Sequence, residues 1–120
     1  MPATSTPRAA PPLDPVPARR AMALARALLG VDGIAALHPG LFGEVALLYP
    51  RGRVPGLRVT PGPAPRLEVH VVVDFSAYRR PLSGLAATVR DVVRESGVDL
   101  PVDVVFADGT ESPVTRRPPR

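Results

Sequence analysis

Glu68, His70 and Asp74 share one side of the alternating run Leu-Glu-Val-His-Val-Val-Val-Asp, and their types and spacing could do chemistry. Side chains two apart on an extended strand point to the same face. A histidine and two carboxylates would therefore stand in a row, with Asp103 of a second Val-rich segment beside them. Histidine with carboxylates is a donor set for zinc and a pairing used in acid–base catalysis. The same pattern arises wherever one face of a sheet meets water, and the set is read as a contact surface. His38, before Pro39-Gly40, is read as a structural turn residue. No Gly-x-Ser-x-Gly elbow and no phosphate-binding Gly-rich loop is present. Ser76, Ser83 and Ser96 lack an evident base partner. The chain is expected to be no enzyme and to need no cofactor or metal.

Arginine supplies the second candidate chemistry. Arg51, Arg53 and Arg58 surround a Gly/Pro loop, and Arg79 and Arg80 sit on another. If the two loops are neighbours, they form a basic patch able to take phosphates. Specific RNA binding needs aromatic platforms, and Tyr49, Phe75 and Tyr78 are few and read as core or turn. The Gly-x-x-Gly loop of a KH module is missing. A nucleic-acid-binding or regulatory module is thus the alternative reading, not the favoured one. The net charge of +4 comes entirely from arginine, and half the excess lies in the tails, with Arg8, Arg116, Arg117 and Arg120.

These residues must be positioned by one small domain, because 120 residues leave no room for a second core. Aromatics are only 4 %, so Val, Leu and Ala must do the packing. The absence of cysteine excludes disulfides, thiolate metal sites and a cysteine nucleophile. No apolar run is long enough to span a bilayer, and the Pro-rich N-terminus lacks the apolar stretch of a signal peptide.

The expected domain covers residues 18–108, between a disordered Pro-rich leader at 1–17 and a disordered basic tail at 109–120. A helix is predicted from Ala18 to Leu29, its stripe formed by Met22, Ala25, Leu28 and Leu29, with Gly30 ending it. Short strands follow at 34–38 and 44–49, the second with Val45, Leu47 and Tyr49 on one face. Arg51 to Gly56 reads as a turn, Leu57 and Val59 as strand, and Pro61 to Pro65 as a connection. The clearest strand is Arg66 to Phe75, with Leu67, Val69, Val71, Val73 and Phe75 inward, as in an antiparallel sheet covered on one face. A second helix runs from Pro81 to Ser96 on Leu82, Leu85, Ala86, Val89 and Val93, and Gly97 ends it. The segment Pro101 to Phe106 closes the domain as a strand with Val102, Val104 and Phe106 inward. The fold class is α+β: a small sheet of about four to five strands with two helices packed on one face.

In this order, several pieces of the chain form a pattern: Gly30, Val31, Gly33, Ile34 and Leu37, then Gly40 and Gly43, then Pro55 to Val59. Glu68 to Val73, Val89-Arg90 and Val102-Asp103-Val104 complete it. The pattern, spanning residues 18–107, resembles the alkaline shock protein family of envelope-stress proteins. Three departures stand out: the Pro-rich connection at 61–65, the absence of a Tyr-Gly after the long strand, and Pro-rich tails in place of charged extensions. The resemblance implies a non-catalytic cytoplasmic protein serving cell-envelope stress response and homeostasis through protein–protein contacts. It further implies self-association, and a place at the inner face of the membrane through a membrane-anchored family member. The candidate interaction surface comprises Arg51, Arg53, Arg58, Glu68, His70, Asp74, Arg79 and Arg80.

Overall fold

Strand β5, Leu67–Asp74, organises the computed structural model, which describes residues 16–110. Its Leu67, Val69, Val71 and Val73 are fully buried, while the intervening residues are half-buried on the other face. Along one edge of β5 lie two short antiparallel strands set end to end, β1 (Ile34–Leu37) and β4 (Leu57–Val59). Main-chain hydrogen bonds continue between them, from His38 N–H to His70 O at 2.8 Å and from His70 N–H to Gly56 O at 2.9 Å. The other edge carries β6, Val102–Thr110, parallel to β5 over its whole length.

A parallel partner requires a crossover, and helix α2 (Leu82–Glu95) supplies it, burying Leu85, Ala86, Val89 and Val93. Helix α1, Ala18–Leu29, packs beside α2 and buries Ala21, Leu24 and Leu28. Strands β2 (Ala46–Tyr49) and β3 (Gly52–Pro55) form a separate hairpin, with Leu47 and Val54 paired on its inner side. Gly56 links this hairpin to the main sheet at φ +91°, and a Cβ there would collide with Leu37. Only glycine reaches that conformation without strain. Among the described residues, no helix is long and apolar enough to cross a membrane.

Two helices and six strands confirm the α+β class, yet several details differ from the sequence reading. The segment read as a turn from Arg51 to Gly56 contains β3, because Val54 has a buried partner in Leu47. The α1 stripe is rotated: Met22 and Leu29 are half exposed, and Ala21 and Leu24 take the core positions. Phe75 does not continue the inward row. The chain leaves the strand at Asp74, whose Oδ1 accepts the Ser76 N–H at 3.0 Å and the Ser76 hydroxyl at 2.6 Å. The sheet is mixed, with one-sided burial because both helices cover the same face.

The domain boundaries also shift. Val16, assigned to the leader, is 1 % exposed, and its carbonyl accepts the Tyr49 hydroxyl at 2.6 Å. Gly109 and Thr110, assigned to the tail, belong to β6, and the Thr110 carbonyl accepts the Phe75 N–H at 2.8 Å. The remaining leader and tail positions, 1–15 and 111–120, lie outside the described residues.

Candidate interaction surface

The outer, helix-free face of the sheet brings Arg58, Glu68 and His70 together. Arg58 on β4 stands directly across from Glu68 on β5. Its Nε and Nη2 donate to one carboxylate oxygen, Oε1, at 3.1 and 2.7 Å. His70 Nε2 lies 3.0 Å from the same oxygen, which makes Nε2–H the donor when the carboxylate is ionised. These contacts, the His70 bond foremost and then Arg58, hold the Glu68 carboxyl below its ordinary range. Farther down the strands, Arg66 grips Asp103 with two bonds of 2.8 and 2.9 Å, and this fork lowers the Asp103 carboxyl. Asp74 does not join His70 but serves the turn after β5. Among the described residues, no three histidine or acidic side chains converge as a metal-binding group.

The arginine loops are not neighbours. Arg51 and Arg53 line a hollow with Ala18 and Met22 at the start of α1. Arg80 lines another hollow with Gly30, Val31 and Asp32 at the end of α1. Arg53 also reaches a hollow with Met22, Arg26 and Leu29 farther along α1, and Arg80 is not among its lining residues. Arg58 is committed to Glu68, and the Arg80 guanidinium lies over the Tyr78 ring, 5.2 Å from its centre. Arg79 is exposed on the same loop as Arg80. The sequence set is distributed over the beginning of β3, the outer face of the sheet and the loop after β5.

What the outer face does border is the loop from Pro39 to Val45. A depression of about 500 Å³ is shared by His38, Glu44, Arg58, His70 and Asp108 with the loop residues Gly40 and Leu41. The loop is tied at almost every step. Gly40 N–H donates to His38 Nδ1 at 2.9 Å, Phe42 N–H to Glu44 Oε1 at 2.9 Å, and Val45 N–H to the Pro39 carbonyl at 2.9 Å. Arg53 reaches from β3 to the Gly43 carbonyl. Gly40 and Gly43 take φ of +86° and +77°, and a Cβ on Gly40 would strike the Glu44 carboxylate. Bonds from the Glu44 and Phe42 N–H groups, with Arg58 and His70 behind them, keep the Glu44 carboxyl below its usual range.

The outcome of this bonding is that Leu41 and Phe42 stand in solvent, 85 % and 91 % exposed. Burying a leucine or phenylalanine side chain is worth roughly 1.5–3 kcal/mol, so an ordered loop that leaves two in water forgoes several kcal/mol. The sequence reading did not single them out. The available signal was an apolar pair bracketed by glycines inside a turn, where polar residues are the rule. Comparison with protein-family models, with curated proteins and with solved structures returns no match.

Proposed function

We propose that the chain is a non-catalytic binding protein of the alkaline shock protein type, working through protein–protein contacts in cell-envelope stress response and homeostasis. On this reading it acts in the cytoplasm and reaches the inner face of the membrane by contact with a membrane-anchored partner. The observation that carries the contact function is the Gly40–Gly43 loop, which presents Leu41 and Phe42 to solvent in a bonded, pre-arranged form. Ordered before contact, such a loop has little entropy left to lose on binding, and exposed large apolar groups are what a partner pocket takes up. The charged residues beside it fit the same reading. Arg58, Glu68 and His70 satisfy one another, and Glu44 and Arg53 hold the loop. Arg51 and Arg53 line a different hollow from Arg80, and Arg58 is held by Glu68, which favours the contact reading over the nucleic-acid one.

The test is differential capture. Tagged full-length chain and a Leu41→Ser/Phe42→Ser variant are recovered side by side from native lysate, with membranes floated separately. Proteins retained by the parent and lost from the variant support the reading, and co-flotation through one of them supports the envelope assignment. Identical recoveries from both forms would refute it.

A further inference from the structure

The outer edge of β6 is the other unsatisfied feature of the described domain. Among the described residues this strand is laddered only with β5, and the phase of that ladder fixes which main-chain groups look away. Leu67 N–H donates to the Pro101 carbonyl at 2.8 Å. In a parallel ladder alternate residues turn toward the neighbour, so Asp103 and Val105 bond toward β5. Val102, Val104 and Phe106 turn their N–H and C=O groups outward. Arg90 Nε, 3.4 Å from the Val102 carbonyl, approaches from that outer side. The side chains of Val102, Val104 and Phe106 lie on the helix-covered face, in register with Leu67, Val69 and Val71. There they are only partly buried, unlike their β5 partners. A long apolar edge of this kind is a template for another strand.

We infer that this edge binds the same edge of a second copy of the chain, antiparallel about a two-fold axis through Val104. The self-complementarity of the segment names the occupant. In that register Val104 faces Val104 of the second copy and Val102 faces its Phe106, so each outward N–H and C=O finds a partner once Arg90 Nε gives up its 3.4 Å contact with the Val102 carbonyl. Every such pair exchanges two hydrogen bonds. On the inner face, β-branched and aromatic side chains meet, a favourable cross-strand combination, and their half-exposed surface is covered. On the outer face Asp103 lies across from Val105 of the second copy. No like charges are directly opposed, and each Asp103 remains held by Arg66. The bulge at Ala107, where the β5 register slips, ends the match after Phe106. Closed two-fold pairing consumes both edges and leaves no template for further growth.

The register makes the test sharp because the chain has no native cysteine. Residues at the two-fold pair have Cα atoms about 5.5 Å apart, within disulfide reach, whereas the two copies of residue 105 lie diagonally at about 7–8 Å, beyond it. Sedimentation of the unmodified full chain over a concentration series should show twice the single-chain mass. Under mild oxidation Val104→Cys should form a covalent dimer at least tenfold faster than Val105→Cys. A single-chain mass at every concentration would overturn the inference without reliance on any variant. Equal cross-linking of the two variants, or cross-linking of Val105→Cys alone, would overturn the register.

Discussion

Replacing Leu41 and Phe42 with serine should separate contact function from folding. In the isolated chain only about 15 % and 9 % of these residues is withdrawn from water, the complements of exposures of 85 % and 91 %. Full burial of each is worth roughly 1.5–3 kcal/mol, so the double substitution should cost the free protein about 0.4–0.7 kcal/mol. The main-chain bonds that hold the loop survive, since they run through Gly40, Phe42 N–H, Gly43 and Val45 rather than through the two side chains. At a partner surface that buries both groups the loss is the complement, about 3 kcal/mol or more, a weakening of roughly 100-fold. Urea unfolding reports the first quantity, and titration of the captured partner reports the second. Destabilisation above about 1.5 kcal/mol would mean that the pair packs within the fold. Unchanged affinity would mean that the partner never touches it.

Other perturbations test the scaffold. Val71→Ala removes a side chain that is 0 % exposed at the centre of β5, and urea unfolding should show a loss of about 2 kcal/mol from lost transfer energy and the cavity left behind. Gly56→Ala imposes positive φ on an alanine and drives its Cβ into Leu37; a loss of about 2–3 kcal/mol or an insoluble product is expected, and wild-type stability would contradict the packing of the β3–β4 link. Glu68 has its carboxyl lowered by His70 and Arg58, so its stabilising contribution is complete above the ordinary glutamate range and disappears as pH falls through the depressed folded value. Thermal melts of the parent should therefore fall more steeply on acidification than those of Glu68→Gln, and parallel curves would show that the pairing contributes nothing.

Much of the fold was legible because β5 writes its burial directly into the chain: a period of two over Leu67 to Val73 leaves no other arrangement. The two helices were legible for the same reason, framed by Pro17, Gly30, Pro81 and Gly97. The failures are local and have physical causes. In α1, alanine fills both core and surface positions, so Ala21 and Leu24 could not be ranked above Met22 by pattern alone. In β3 only Val54 is buried among Gly52, Arg53 and Pro55, which leaves a four-residue strand without a readable period. The direction of β6 is set by the crossover through α2, a tertiary matter. Of the candidate site, the meeting of Glu68 and His70 along one face of β5 followed from the alternation. Arg58 joining them depended on the register of β4, and the distance between the arginine loops depended on the placement of α1.

The charged residues gain a purpose once the loop is placed beside them. Arg58 and His70 share Glu68, and from the same depression both favour the anionic form of Glu44. That anion accepts the Phe42 N–H, which sets the loop direction at an apolar residue that is 91 % exposed. On the other flank His38 Nδ1 must be unprotonated to accept the Gly40 N–H, and Arg53 fixes the Gly43 carbonyl. A histidine–carboxylate row that resembles reactive machinery is thereby consumed in holding one another and a neighbouring turn. On the proposed contact reading, the reactive-looking face positions the Gly-Leu-Phe-Gly turn, and the turn presents Leu41 and Phe42 to a partner.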